Sequence, residues 1–198
     1  MLGKVDFSEM VDLMYRSIEK HRYSALYTAF MSLDSYLPAD MKASIAITEA
    51  TKDSIIDKIE AVKATTGKDV MLVGTRVAMQ KLQNTVNYKM WSNDMKQELH
   101  EKGMLGMWEG YDCLVLDRVN EEGTRTSIFT ANDNKKIFIV PIDDSFKPIK
   151  RVNEGDVEYF ERGMDGSLQD RTIEAEIWYY EGIGVVIDEL FGVIIDNA

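Results

Sequence analysis

A chain of 198 residues, 45% hydrophobic and 29% charged, is long enough for one large domain or two small ones around a real core. Three prolines and 13 glycines exclude a collagenous or low-complexity chain, and the apolar share is too high for a disordered tail. With 23 Lys and Arg against 34 Asp and Glu, the net charge of −11 favours solubility and argues against a basic nucleic-acid-binding face.

No stretch approaches the roughly 18–20 continuous apolar residues of a membrane helix. The N-terminus lacks the charged-then-apolar order of a secretion signal, so no membrane partner is expected. Cys113 stands alone and cannot form an internal disulfide, which is compatible with a reducing compartment. Twelve methionines suit plastic cores and adaptable contact surfaces.

In chain order, the first predicted element is a long helix capped by Asp6, with Glu9 at capping-box spacing. Its apolar stripe runs Phe7, Met10, Val11, Met14, Ile18, then Leu26, Tyr27 and Phe30, with an interruption near Glu19 to Arg22. Ser35 to Asp40, containing Pro38, reads as a linker. After the short apolar run Ile45 to Ile47, a second helix spans Thr51 to Thr66 on the stripe Ile55, Ile56, Ile59 and Val62, with Gly67 at its C-cap. Val70 to Val73 reads as a buried strand, turned at Gly74-Thr75 into a third helix over Arg76 to Asn84. That order marks an α/β unit. A fourth helix is predicted from Asn93 to Lys102.

The second half is β-like. Tyr111 to Leu116 and Ile137 to Ile142 read as strands, the latter ending near Pro141. Asn120 to Gly123, Asn132 to Lys135, Asn153 to Asp156 and Gly163 to Gly166 read as turns. Asn120 to Lys136 reads as a mobile loop or hairpin with few apolar anchors. Ile173, Ala175, Ile177 and Tyr179 alternate with Thr172, Glu174, Glu176 and Trp178, the period of a strand with one covered face. The apolar run Phe191 to Ile195 closes the chain.

The catalytic inventory is thin. Gly74-Thr75 lacks the Gly-rich loop and Lys-Ser/Thr pair that wrap phosphates, so Thr75 is expected to be a plain N-cap. The spacing of Gly103, Gly106 and Gly110 matches no dinucleotide fingerprint and precedes a strand, so these glycines are expected to serve turns. His21 and His100 each lack a second metal ligand at helical spacing, and Cys113 sits among apolar neighbours as an inert thiol. The carboxylate pairs Asp143-Asp144, Glu121-Glu122 and Asp188-Glu189 adjoin turns or strand ends and read as solvated charges, although their types could also serve acid–base chemistry. Trp108, Trp178, Tyr179 and Tyr180 stand among Glu109, Glu174, Glu176 and Glu181, which fits core or subunit-interface packing better than base stacking. No catalytic, cofactor-binding or metal-binding residue is assigned, no cofactor or small-molecule substrate is expected, and the first reading is a structural or interaction protein rather than an enzyme.

The order of elements resembles a known family. Gly3-Lys4-Val5-Asp6-Phe7 onward resembles the backbone helix of a tailed-phage major capsid protein. Thr66 to Arg76 looks like that family's core strand and following helix, and Gly103-Met104-Leu105-Gly106-Met107-Trp108-Glu109-Gly110-Tyr111 resembles its strand entry. Ile137 to Pro141 looks like a later strand, and Asp170 to Asp188 followed by Phe191 to Ile195 resembles the long paired strands and final strand. The set is similar to the Hong Kong 97-type shell fold of tailed phages and encapsulin compartments.

The resemblance implies an α+β fold with two discontinuous lobes. A peripheral lobe, 1–40 and 150–188, would lay the long helix on long antiparallel strands. An axial lobe, 41–149 and 189–198, would hold a central mixed sheet flanked by helices. It implies a homo-oligomer, pentamers and hexamers of an icosahedral capsid around double-stranded DNA, made in the bacterial host cytoplasm and resident in the virion or encoded by a prophage. Relative to the family pattern the chain begins at the long helix, so a core without N-terminal arm, extended loop or cross-linking lysine is expected, and with it a monomer or small oligomer at low salt. The rival readings are an encapsulin-like nanocompartment shell, a phage adaptor or binding module, and an enzyme with an unrecognised carboxylate site.

Overall fold

The computed structural model describes residues 7–86, 92–94, 96–97, 106–121, 123–142, 149–155, 158–162, 174–185 and 192–197. In chain order the elements are α1 (Phe7–Met31), β1 (Lys42–Ser44), α2 (Lys52–Thr66), β2 (Val70–Thr75), α3 (Arg76–Gln83), β3 (Met107–Trp108), β4 (Tyr111–Leu116), β5 (Lys136–Pro141), β6 (Ile149–Asn153), β7 (Glu158–Arg162), β8 (Glu174–Trp178), β9 (Glu181–Val185) and β10 (Gly192–Ile195). The fold is α+β. Six strands form one mixed sheet in the order β1-β10-β5-β2-β4-β3, and the others pair as β6-β9 and β7-β8.

Alternation along the strands fixes what each sheet face meets. Leu72, Ile139 and Gly192 are register partners, as are Gly74, Ile137 and Ile194, so these six share a face. The Cα of Gly192 lies under Val62 of α2 and that of Gly74 under Met79 of α3, which puts both helices on this face. That is the expected result of two crossovers of one hand stepping the same way across a sheet. Phe138 points to the opposite face and meets Phe30 of α1 edge-on, ring centroids 4.7 Å apart. Helices therefore flank both faces, and the core comprises Ile55, Ile59, Leu72, Met79, Leu82, Ile137, Phe138, Ile139 and Ile194 with their neighbours.

Local sequence explains most boundaries. Thr75 caps α3 by accepting from the Ala78 N–H, as its position predicts. Gly67 ends α2 in the left-handed region at φ 67°. Glu109 and Gly110, at φ 49° and 89°, make the two-residue turn joining β3 to β4 across the Trp108–Tyr111 pair. Positive φ at both turn positions is the hairpin geometry that asks for glycine.

The first element is one long helix, as expected, continuous where its apolar stripe is interrupted at Glu19 to Arg22. Several other expectations are corrected. Ser35 to Asp40 is not a loose linker. Its two 3₁₀ turns, Ser32–Tyr36 and Ala39–Met41, bury Leu33, Leu37 and Met41. Gly74 and Thr75, expected to turn the chain into the third helix, lie within β2. Asn120 to Lys136 begins as a hairpin through the Asn120–Ser127 bridge, one of the two forms expected, and Phe129 anchors it by stacking on Tyr27 at 5.7 Å. The strands after residue 149 are each divided into two five-residue pieces. The predicted Asp6 cap, most of the helix Asn93 to Lys102, and Gly163 to Gly166 lie outside the described residues.

Two part-buried ionic joints tie strand ends to neighbouring segments. Lys136 Nζ lies 3.1 Å from Asp34 Oδ2 and 3.3 Å from Asp133 Oδ1, and donates to the Met31 carbonyl at 3.3 Å. Beyond β10, the buried Asp196 accepts from the Ile47 N–H at 3.1 Å and from Lys81 Nζ at 2.5 Å.

Two outcomes are expected. A methyl added at Gly192 would sit 2.7 Å from Val62 Cγ2 and 3.1 Å from Ile139 Cδ1. Gly192→Ala should therefore cost about 1–3 kcal/mol by overpacking, read as a lower midpoint in urea with an unchanged slope. At Asp133, burial opposes the charged form, but hydrogen bonds from the Thr130 hydroxyl and N–H, together with Lys136, outweigh it and hold the carboxyl below its usual range. A depressed folded value contributes stability above the unfolded value of about 3.9, and that contribution disappears as pH falls through the folded value. Asp133→Asn should lower stability at neutral pH and flatten the acid limb of a stability–pH curve below about pH 4.

Candidate subunit interface

The residues that could carry chemistry are scattered. His21 is exposed on α1 and Glu121 is exposed in a turn, while His100, Glu122, Asp143, Asp144, Asp188, Glu189 and Gly103 lie outside the described residues. Among the described residues no group of three His, Cys, Asp or Glu could hold a metal ion. Cys113 is half-buried in β4, and its Sγ faces the Tyr111 carbonyl at 3.7 Å. Burial, helped by the Asp112 carboxylate, pushes its thiol up to about 12. Thiolate chemistry is suppressed there at neutral pH.

The aromatic concentration divides into two kinds. Trp108 is fully buried, and its indole N–H donates to Thr85 Oγ1 at 3.2 Å. Tyr179 is half-buried beneath Arg22 of α1, whose guanidinium lies 5.4 Å from the ring centroid. The same Arg22 holds Glu181 at 2.6 Å. Trp178 and Tyr180 point away from the molecule.

That difference comes from the ribbon that the four late strands build. Ile149 pairs with Val185 and Asn153 with Glu181 on β6-β9; Glu158 pairs with Trp178 and Arg162 with Glu174 on β7-β8. The two ladders share the same two legs, and the Glu154 N–H donates to the Tyr180 carbonyl between them. Along the leg 174–185 exposure alternates without a break, with Glu176, Trp178, Tyr180, Gly182 and Gly184 exposed and Ile177, Tyr179, Glu181 and Ile183 half-buried. Cross-strand partners share a side, so the register extends these two sides to the other leg. Tyr179 and Glu181 lie on the side seated against α1. Lys150, Val152, Glu158, Phe160, Glu176, Trp178, Tyr180, Gly182 and Gly184 lie on the other.

One side is covered, as the alternation predicts, and the outward side carries large apolar groups among its charges. Val152 is 66% exposed, Phe160 47%, Trp178 50% and Tyr180 61%. Phe160 and Trp178 meet edge-on at 5.6 Å, and the Trp178 N–H donates to Glu176 at 3.2 Å. A contiguous aromatic stripe held in fixed geometry on a protein surface is the composition of a protein–protein contact.

A model of the family described as "SPbeta prophage-derived putative capsid protein YonB" matches residues 2–195. The chain belongs to that family. The match spans α1 through β10, so the six-stranded sheet and the ribbon both fall within the residues matched by the YonB family. A search of the curated proteins finds no match. The sequence resemblance to a phage capsid protein thus agrees with the YonB family match at the level of a phage capsid protein.

Alkylation of native protein by iodoacetamide at pH 8 should proceed on the order of a thousandfold more slowly at Cys113 than at a free thiol, and reach the free rate in urea. Modification at the free rate in the folded state would show that the thiol is available for chemistry.

Proposed function

We propose that this chain is the shell-forming subunit of a tailed-phage or prophage capsid, with a Hong Kong 97-type fold, that assembles through pentamers and hexamers into an icosahedral container for double-stranded DNA. It is made in the bacterial host cytoplasm and ends in the virion. The observation that carries this reading is the ribbon's outward aromatic stripe on a chain whose family is a prophage capsid family. A shell subunit needs wide complementary edges rather than a pocket, because closed assemblies repeat the same contacts around rotation axes. We read the role as structural rather than enzymatic, and the protonated Cys113 thiol supports this.

The same reading divides the chain into two discontinuous lobes, 1–40 with 150–188 and 41–149 with 189–198. The seat of α1 on the ribbon through Arg22, Tyr179 and Glu181 supports that division. The last turn of α1 carries Phe30 into the sheet, so the helix also fastens one lobe to the other. The net charge of −11 keeps the wall from gripping DNA, which a container filled by a motor requires.

Like charge also opposes crowding of subunits about an axis. Light scattering and negative-stain microscopy of the purified chain should find small species at low salt. Rings, sheets or shells should grow as the Debye length falls from about 10 Å at 0.1 M toward about 3 Å at 1 M. A mass that stays monomeric at every ionic strength and concentration would overturn the shell reading.

A further inference from the structure

We propose that the outward side of the ribbon is a docking surface for a cationic, extended segment of another protein, one that carries arginines two positions apart. The proposal rests on the shell reading in one respect, that this side meets a protein, and adds that the partner is a different chain.

The inward side of the same leg already shows the device. Tyr179 and Glu181, two positions apart, together hold the guanidinium of Arg22, which lies 5.4 Å from the ring centroid and 2.6 Å from the carboxylate. The outward side repeats this pairing of aromatic ring and carboxylate, and exposes it. Trp178 stands beside Glu176, two positions along its own leg, and Glu158, its partner across the ribbon. Tyr180 stands opposite Glu154, whose N–H donates to the Tyr180 carbonyl at 3.0 Å. Both rings and all three carboxylates are exposed. A cation over a ring face is attracted by the ring and by a carboxylate at its edge at the same time. Arginine suits both contacts, because its planar guanidinium stacks on the ring and forks toward the oxygens.

The indole is held in place. Its N–H donates to Glu176 Oε2 at 3.2 Å, and its ring meets Phe160 edge-on at 5.6 Å. Binding therefore orders little of this surface, which keeps its entropic cost small.

Spacing selects the ligand. Trp178 and Tyr180 are two strand positions apart, about 7 Å. Alternate residues of an extended segment have the same repeat and share a side, so an Arg-x-Arg segment lays one guanidinium on each ring. Among the described side chains, Lys150 at the far end is this side's one cation against Glu154, Glu158 and Glu176. It repels a cation there and confines the arginines to the aromatic end.

The chain itself does not supply the occupant. Of its 23 Lys and Arg, only Lys20 and Arg22 stand two apart, and Arg22 is engaged. Arg16 and Lys20, one turn apart on α1, stand among exposed Glu9, Asp12 and Glu19, which would set carboxylate against carboxylate.

The test titrates the whole chain, isotope-labelled in its indole nitrogens, with the acetylated and amidated peptide Thr-Arg-Thr-Arg-Thr up to about 1 mM, the range that a few exposed contacts support. Circular dichroism is the control for folding. The indole N–H resonance of Trp178, identified by its loss in Trp178→Phe, should shift, and that of buried Trp108 should not. The permuted peptide Thr-Arg-Arg-Thr-Thr has the same charge but points its arginines to opposite sides, and should bind about fivefold more weakly. Glu158→Gln combined with Glu176→Gln should weaken binding about tenfold, whereas Glu121→Gln, in an exposed turn outside the ribbon, should leave it unchanged. Equal binding of the two peptides, equal binding of spermidine, or no shift at about 1 mM overturns the proposal. So does self-association in sedimentation equilibrium that the peptide reverses, which would give this side to a second copy. Light scattering at high salt reads assembly separately. Peptide failure with assembly intact strikes only this proposal, and peptide binding by a chain that stays monomeric strikes only the shell reading.

Discussion

Arg22 decides which way the ribbon faces. Its guanidinium reaches Glu181 and the ring of Tyr179 at once, two residues on the same side of the ribbon and two positions apart along it. Glu181 is nearly buried by this contact. Turning the ribbon over would strand that carboxylate without its cation, and breaking a buried pair is far more costly than the pair is worth in water. Because strand side chains alternate, fixing Tyr179 and Glu181 inward fixes Trp178 and Tyr180 outward. One helical residue thus sets the character of a surface it never touches.

The sheet supplies the platform for that helix. Phe30 against Phe138, and Lys136 against Asp34 and the Met31 carbonyl, hold the last turn of α1 at the side opposite α2 and α3. Lys136 satisfies part of the unpaired carbonyl end of α1 while neutralising two carboxylates that enter from different segments. At the other side of the sheet the closeness of α2 depends on Gly192, since Val62 occupies the space a side chain would need. Both junctions join residues far apart in sequence, so secondary structure alone could not hold them.

Much of this was legible in the residues. The second and third helices, the buried strand beginning at Val70, the caps at Gly67 and Thr75, and the alternation from Ile173 to Tyr179 follow from period and propensity. The role of Arg22 was not legible, because periodicity records apolar contacts only. The helix meets the ribbon there through charge and a ring face, and the stripe therefore looks interrupted where it is best engaged. Leu37 was hidden in the linker Ser35 to Asp40, because two short 3₁₀ turns have no apolar period long enough to register. The outward stripe was the hardest to see. Phe160 and Val152 come from one leg, Trp178 and Tyr180 from the other, and only the cross-strand register brings them together.

The place of β10 has a consequence for synthesis. The strand lies between β1 and β5, pairing with both, and the chain just beyond it supplies Asp196 to Lys81 and Ile47. While residues 192–196 are still inside the ribosome, β1 has no neighbour and β5 has an open edge. The nascent chain can form α1, α2 and the β2-α3 unit, but it cannot close the sheet. A chain broken off before residue 192 therefore offers unpaired strand edges for proteolysis or aggregation rather than a closed sheet.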